Sequence, residues 1–260
     1  MTTPGQHVDM RLLSVPFHLD ERLDPFDLGE PADAEVTADL PPGGPWERMA
    51  ALYERVATAV AAETGPVAVA SGDCTTSLGV LAGLQRSGRD VAVVWFDAHA
   101  DFHTTATTTS GYLGGMPLAL AVGRGDLTLP RALRLRPVPE QRVVLVDARD
   151  TDPGEQLLLH GSAVTRTTVA DVVATVLAAV PDGDLYVHVD VDVCDPAELP
   201  ALLYPAEGGA GVAELLAAVR ELTGTGRVAG LGLAATWHHR SPADPRQRDL
   251  VRGLLAATGR

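Results

Sequence analysis

The chain has little that could staple it, since Cys74 and Cys194 are its only two cysteines and do not make a disulfide framework. It has no apolar run near the roughly 20 residues that a bilayer-crossing helix needs. Its start, MTTPGQHVDMRLL, lacks the basic opening and apolar stretch of a secretory leader. Basic residues are scarce, 20 against 34 acidic ones, for a formal net charge of −14. With no basic run to meet phosphates, neither nucleic acid nor an anionic membrane is expected as a partner. Linkers, low-complexity blocks and internal repeats are absent too. Two Pro- and Gly-rich patches, DLPPGGPW (39–46) and LPALLYPAEGGAG (199–211), read as loops, and composition does not shift across either. The expectation is a soluble, cytoplasmic protein with residues 1–260 in one α/β domain. A hydrophobic fraction of 46% allows it a substantial core.

What is present is an alternation. Apolar runs over 10–17, 66–70, 91–97, 142–148, 185–192 and 228–235 read as strands buried on both faces. Apolar residues recur at helical spacing over 45–63, 75–88, 169–180, 211–224 and 245–258. Strand followed by helix, repeated, predicts a mostly parallel sheet with helices on both faces. Ligands bind such sheets beyond the carboxyl ends of the strands. Polar clusters stand at three of those ends: SGDC after 66–70, DAHAD after 91–96 and DVD after 185–189.

In VVWFDAHADFHT (93–104), Asp97, His99 and Asp101 occupy alternate positions, so an extended chain projects them to one side. His188, Asp190 and Asp192 repeat the spacing, with His188 deeper in its strand. A single Asp at a strand end is commonly a cap or turn former. Four carboxylates gathered at neighbouring strand ends repel one another and resist ionisation unless a cation joins them. Carboxylates with one or two imidazoles suit Mn²⁺, and Zn²⁺ or Fe²⁺ less well. The donors exceed what one ion takes from protein, so two ions with bridging carboxylates are expected. Such a pair can ionise a bridging water and polarise a substrate.

The segments SGDCTTSLG, WFDAHADFHT, SGYLGGMP and VHVDVDVCDPAELPALLYPAEGG resemble, in order and spacing, the motifs of the ureohydrolases. This is the arginase, agmatinase and formiminoglutamase family, and the resemblance covers about residues 66–235. It implies a three-layer α/β/α sandwich with two Mn²⁺ ions at the strand ends, and hydrolysis of a guanidino or amidino C–N bond by a metal-bridging hydroxide. It further implies that Asp97 and Asp190 bridge the ions, that Asp101 binds one, and that His99 and Asp192 bind the other. Cys74 stands where the family's remaining ligand is a histidine. A minority branch has cysteine there, a hydroxyarginine hydrolase among its members. A thiolate is softer than imidazole, which makes Zn²⁺ or Fe²⁺ an option at that position. Taken alone, Cys74 also reads as a small buried core residue. Family members are often trimers or hexamers, so a homo-oligomer acting on a small molecule is implied.

Three departures concern the substrate. The family's SGNLHG reads SGYLGG, which keeps Ser110 but puts Gly114 in place of a histidine and Tyr112 in place of an asparagine. Where arginases carry a guanidinium-binding Glu, this chain has Ala235 or its neighbour. The segment DARDTDPGE resembles the one that holds a substrate amino group, placing Asp152 and Glu155 near a ligand, although Asp152-Pro153-Gly154 also reads as a plain turn. His103 falls where the carboxylate end of a substrate is held and is the first candidate to give the leaving amine its proton. His238 and His239 are weaker ones. Asp101 would also steady the nucleophile. The substrate-choosing loops are expected at about 102–115, 150–160 and 235–245. Two other readings stand beside the metal hydrolase. One is a hydrolase using Cys74 as nucleophile, activated at a helix N-terminus. The other is a divergent scaffold with a binding or assembly role.

Overall fold

In a computed structural model of the protein, residues 10–239 and 244–259 are described. Residues 1–9 of the start, whose sequence lacks the features of a leader, and residues 240–243 of the loop at 235–245 lie outside the described residues.

Among the described residues ten strands form: β1 (Arg11–Val15), β2 (Phe17–His18), β3 (Glu21–Arg22), β4 (Ala34–Glu35), β5 (Val67–Ser71), β6 (Ala92–Asp97), β7 (Val143–Asp147), β8 (Thr165–Thr167), β9 (Leu185–Asp190) and β10 (Val228–Ala234). Eight make one sheet in the order β4-β1-β5-β10-β9-β6-β7-β8, and every pairing in it is parallel. Every residue of β5, β6, β9 and β10 is buried, which is why these segments read as unbroken apolar runs. The edge strands β4 and β8 have two and three residues, too short to offer a template for another chain.

The helices are α1 (Pro45–Ala62), α2 (Ser77–Arg86), α3 (Pro117–Ala121), α4 (Thr128–Ala132), α5 (Pro153–His160), α6 (Val172–Ala179), α7 (Val212–Gly224) and α8 (Pro245–Ala257). The stripe Met49, Leu52, Tyr53, Val56 and Val60 of α1 is buried, at the spacing one helix face requires. It packs with α2, α3, α4 and the strand residues Val67, Val69, Val93 and Trp95 in one core. Alternate strand residues, among them Ala68, Val94, Phe96, Val187 and Val189, pack with α6, α7 and α8 in a second core. The result is the three-layer α/β/α sandwich expected. Among the described residues no helix is long and apolar enough to cross a membrane.

The six strands and five helices read from periodicity are present. Elements of two to five residues (β4, β8, α3, α4) carry too few positions to show a period. Two readings need correction. The run 185–192 is a strand only to Asp190, after which Val191–Val193 turn as a 3₁₀ helix. The segment 150–160 is mostly α5 rather than loop.

Gly83 sets how closely α1 and α2 approach. A Cβ there would lie 2.6 Å from Val60 Cβ and 2.8 Å from the Ala57 carbonyl oxygen. Gly83→Ala gains up to about 1 kcal/mol in helix propensity, but overpacking costs about 1–3 kcal/mol, and the steric term dominates. We expect Gly83→Ala to lower the denaturation midpoint; a raised midpoint would show that the helix pair yields freely.

Candidate functional site

Three strand ends on the α1–α5 side of the sheet meet at one place. β5 leads into a 3₁₀ turn, Cys74–Thr76, that begins α2. Asp73 caps this turn by accepting from the Thr75 amide at 2.7 Å, and it also accepts from the Leu19 amide at 2.7 Å. Cys74 is thereby held pointing at the ends of β6 and β9. Its Sγ–H donates to Asp190 Oδ2 at 2.9 Å, and Asp97 Oδ2 lies 3.9 Å away.

The carboxylates share one design. Each uses one oxygen on a backbone amide and turns the other inward. Asp97 Oδ1 accepts from the His99 amide at 2.7 Å, Asp190 Oδ1 from the Asp192 amide at 2.9 Å, and Asp192 Oδ1 from the Ala98 amide at 3.1 Å. Further groups reach both oxygens of these carboxylates. Trp95 Nε1 donates to Asp97 Oδ2 at 3.1 Å, and His99 Nδ1 stands 3.1 Å from Asp192 Oδ2 and 3.5 Å from Asp97 Oδ1. Thr236, directly after β10, donates to Asp190 Oδ1.

Strict alternation does not deliver Asp101. β6 ends at Asp97, and Asp101 has a left-handed backbone, φ +51°. Its carbonyl accepts from the Leu118 and Ala119 amides at 3.0 and 3.2 Å, tying this unusual conformation to the start of α3. Asp101 is 5% exposed, yet Oδ2 has no partner among the described residues. Buried oxygens are almost always bonded, so Asp101 presents a donor prepared for something positive.

Two triads place one donor atom each within 4.8 Å of the others: Cys74, Asp97 and His188, and Asp97, His99 and Asp192. Asp97 belongs to both. The protonation balance agrees with a cation site. Burial, then the charge of Asp192, pushes Asp190 up to about 8. Burial, then Asp97, pushes Asp192 up to about 6. Asp97 is raised by burial despite His99, and Asp101 well above the carboxylate range by burial, then by Asp97 and Asp190. Burial alone would lower His99, but its bonds to Asp192 and Asp97 outweigh that and push it up to about 12. These donors, oxygen-rich with imidazole and sulfur, fit divalent metal.

Above them opens a pocket of about 230 Å³ lined by Cys74, His99, Asp101, His103, Ser110, Tyr112, Gly114, Asp150, Asp152, Glu155, Asp190, Asp192, Tyr204 and Thr236, among others. Among the described residues its lining contains no arginine. His103 Nε2 lies 3.4 Å from Asp152 Oδ2 and 4.0 Å from Glu155 Oε2. Glu155 also accepts from the Phe102 amide at 2.8 Å, so it braces the DAHAD segment while facing the pocket. Asp152 is the N-cap residue of α5 without a side-chain cap bond, which leaves its carboxylate on the pocket wall instead of in a turn. Ser110 is an exposed rim residue.

Some expectations fail here. His238 and His239 are not among the lining residues, and His239 instead bonds the Ala235 carbonyl at 3.0 Å and packs on Phe26. Ala235 is buried, and its neighbour Thr236 is the residue that faces the pocket. A nucleophilic Cys74 is also disfavoured. Burial, then Asp190, Asp101 and Asp97, raise its thiol well above the ordinary range, the reverse of an activated thiolate.

Other residues carried no signal in the sequence. Arg149 pairs with Asp147 and donates to the carbonyls of Asp192 (3.1 Å), Val193 (3.2 Å), Ala206 (3.1 Å) and Glu207 (3.1 Å), pinning the loop after β9. The Tyr112 ring fills the space a Cβ on Gly114 would need. Its hydroxyl donates to His18 Nε2 at 2.9 Å, because His18 Nδ1 must donate to the Gly72 carbonyl at 3.0 Å. Residues 18 and 112 are 94 positions apart, and only the fold pairs them.

Comparison with known proteins was made at three levels. A family model described as the arginase family matches residues 10–235. The chain is 36% identical over 178 residues to the N(omega)-hydroxy-L-arginine amidinohydrolase of Streptomyces lavendulae, covering 67% of this chain and 62% of that protein. It is 30% identical over 151 residues to the arginase of Bacillus subtilis, covering 54% and 51%. The match thus spans about half to three-fifths of these relatives' lengths. Among solved structures, an Entamoeba histolytica arginase in complex with L-ornithine superposes with a TM-score of 0.81 at 20% identity, covering 96% of this chain and 97% of that one. The Bacillus subtilis formimidoylglutamase superposes with a TM-score of 0.72 at 18% identity, covering 99% and 88%. At these identities the superpositions show a shared fold.

The metal-free protein has a defined pH dependence. A carboxyl raised in the folded state contributes stability that is full below its unfolded pKa, about 4, and is lost as pH rises through its folded pKa. For Asp192 and Asp190 that loss runs through about 6 and about 8; raised His99 acts in the same direction at still higher pH. Divalent metal displaces these protons and should reverse the trend. With chelator present, melting is expected at higher temperature at pH 5.5 than at pH 8.5, and added Mn²⁺ should stabilise chiefly at pH 8.5. A pH-independent melting temperature without metal would contradict this account of the site.

Proposed function

The chain belongs to the arginase family, and from that premise we propose that it is a binuclear metal-dependent hydrolase cleaving a C–N bond of a guanidino- or amidino-type small molecule. The observation that carries this reading is the pair of donor triads sharing Asp97, with the unpartnered Asp101 oxygen buried alongside. Asp97 and Asp190 would bridge two Mn²⁺ ions, Cys74 and Asp101 completing one site and His99 and Asp192 the other. When bound, two such ions polarise a trigonal carbon and lower the pKa of water.

The chain's own groups account for orientation and proton traffic. Asp101 would hold the attacking water by a hydrogen bond, its backbone fixed at the head of α3. The carboxylates of Asp150, Asp152 and Glu155, which outnumber the imidazoles of His99 and His103 beside them, favour the cationic part of a substrate over an anionic one. Ser110 at the rim would bond a polar substrate end. His103, held between Asp152 and Glu155, would give the departing amine its proton. Tyr112 narrows the pocket where Gly114 leaves room, and its O–H faces the same space.

Thr236 in place of a carboxylate argues for a substrate whose reacting end demands less negative charge than a plain guanidinium. An N-hydroxyguanidino group, less basic and carrying a hydroxyl that pairs with neutral oxygens, meets that requirement. The likeness to the hydroxyarginine amidinohydrolase supports the same choice. A cytoplasmic homo-oligomer completes the reading, on family resemblance.

Elemental analysis combined with a panel of guanidino and N-hydroxyguanidino compounds tests it. Mn-loaded protein should release urea or hydroxyurea, and turn over the N-hydroxy compounds faster. Asp190→Ala should lose metal and activity together, so an active, metal-free Asp190→Ala protein would sink the assignment. His103→Ala should keep its metal and lose about 10²–10⁴-fold in turnover, the range of a general acid; unchanged turnover would remove His103 from the reaction.

A further inference from the structure

We propose that His188 is itself a metal ligand, its Nε2 joining Cys74 Sγ and an Asp97 carboxylate oxygen around the ion on the Cys74 side of the centre. The inference rests on the binuclear reading above and extends it to a residue inside the sheet.

His188 lies on β9, two residues before Asp190 and on the same sheet face. It is 1% exposed. Its ring stacks on Trp95 of the neighbouring strand, with centroids 3.7 Å apart and planes 27° from parallel. Nδ1 bonds Ser77 Oγ at 2.9 Å, and Ser77 Oγ also accepts from the Tyr186 hydroxyl at 2.8 Å. Gly232 of β10 makes room for this group, since a Cβ there would strike the Tyr186 hydroxyl and come 3.0 Å from His188 Nδ1. The ring therefore has one orientation.

In that orientation Nε2 is buried and has no partner among the described residues. A nitrogen so placed is rare and costly in a folded protein. A ring nitrogen of His188, Cys74 Sγ and an Asp97 oxygen lie within 4.8 Å of one another. Nδ1 is engaged by Ser77, which leaves Nε2 as the donor. Metal bonds of roughly 2.0–2.1 Å to nitrogen and 2.3 Å to sulfur set two such donors roughly 3.5 Å apart on one ion, within that envelope. Metal-bound imidazoles characteristically donate their other N–H to a fixed oxygen, and Ser77 Oγ stands in that role. Sulfur, imidazole and carboxylate make a softer set than Asp97, His99 and Asp192. The two positions should then differ in preference, Zn²⁺, Co²⁺ or Fe²⁺ on the Cys74 side and Mn²⁺ on the His99 side.

The test is metal binding, read without turnover. Metal-stripped full-length protein is titrated with Co²⁺ while thiolate charge-transfer and visible bands are followed, and Zn²⁺ affinity is measured against a chromophoric chelator. The parent should take up two ions, one giving the thiolate band. His188→Asn should weaken that ion at least about 10-fold and alter its visible bands, leaving the second ion unchanged. Ser77→Ala, which keeps the imidazole but removes the oxygen at Nδ1, should weaken the same ion about 10–100-fold, and it carries the test if His188→Asn fails to fold. Unchanged affinity and spectrum in the folded variants overturn this inference alone. A parent that takes up no divalent ion overturns both the inference and the proposed function.

Discussion

The structure turns on how several carboxylates are buried at one point. Asp97, Asp190 and Asp192 each bond one oxygen to a backbone amide and direct the other toward the same small volume. The amide bonds fix the geometry but remove neither the cost of burial nor the mutual repulsion, which together raise the pKa values of Asp190 and Asp192. Without a cation the site holds protons it would not otherwise keep. With one, the same oxygens become ligands already in place, and little ordering remains to oppose binding.

Sheet topology supplies the convergence. β5 and β6 are consecutive in the chain but do not touch, and β10 and β9, the last strands made, fill the gap between them. The contact between Cys74 and Asp190 spans 116 residues. The site is complete only when the final strands are seated. Arg149 then ties the loop after β9 to the end of β7, fixing the backbone at Asp192. Site and sheet centre thus depend on the same late, long-range pairing.

The pocket above the site is less conventional than its floor. Tyr112, anchored on His18, occupies the space that Gly114 vacates, and Thr236, beside the Ala235 position where the resemblance implies a missing carboxylate, spends its hydroxyl on Asp190. Both changes leave the donor set intact while reshaping what sits over it. A scaffold drifting out of use would have little reason to keep buried carboxylates in strict order while altering only the wall.

Alternating apolar runs dictated the parallel sheet and its covering helices, because strands buried on both faces and helices with one apolar stripe leave unambiguous periods. Polar clusters directly after those runs identified Asp97, His99, Asp190 and Asp192, since a strand end is where such a sheet presents chemistry. Period-two spacing pointed to residues that the fold does bring together, but not by strict alternation: Asp101 reaches the cluster through a left-handed turn held by α3, and Asp192 through a 3₁₀ turn. The hairpin β2–β3 and the short edge strands had too few residues to show a period. The contacts of Thr236, Arg149 and the Tyr112–His18 pair were decided by tertiary structure alone. Each depends on a partner from another strand or loop, and such proximity is a property of how the strands are ordered in the sheet, which no local pattern encodes.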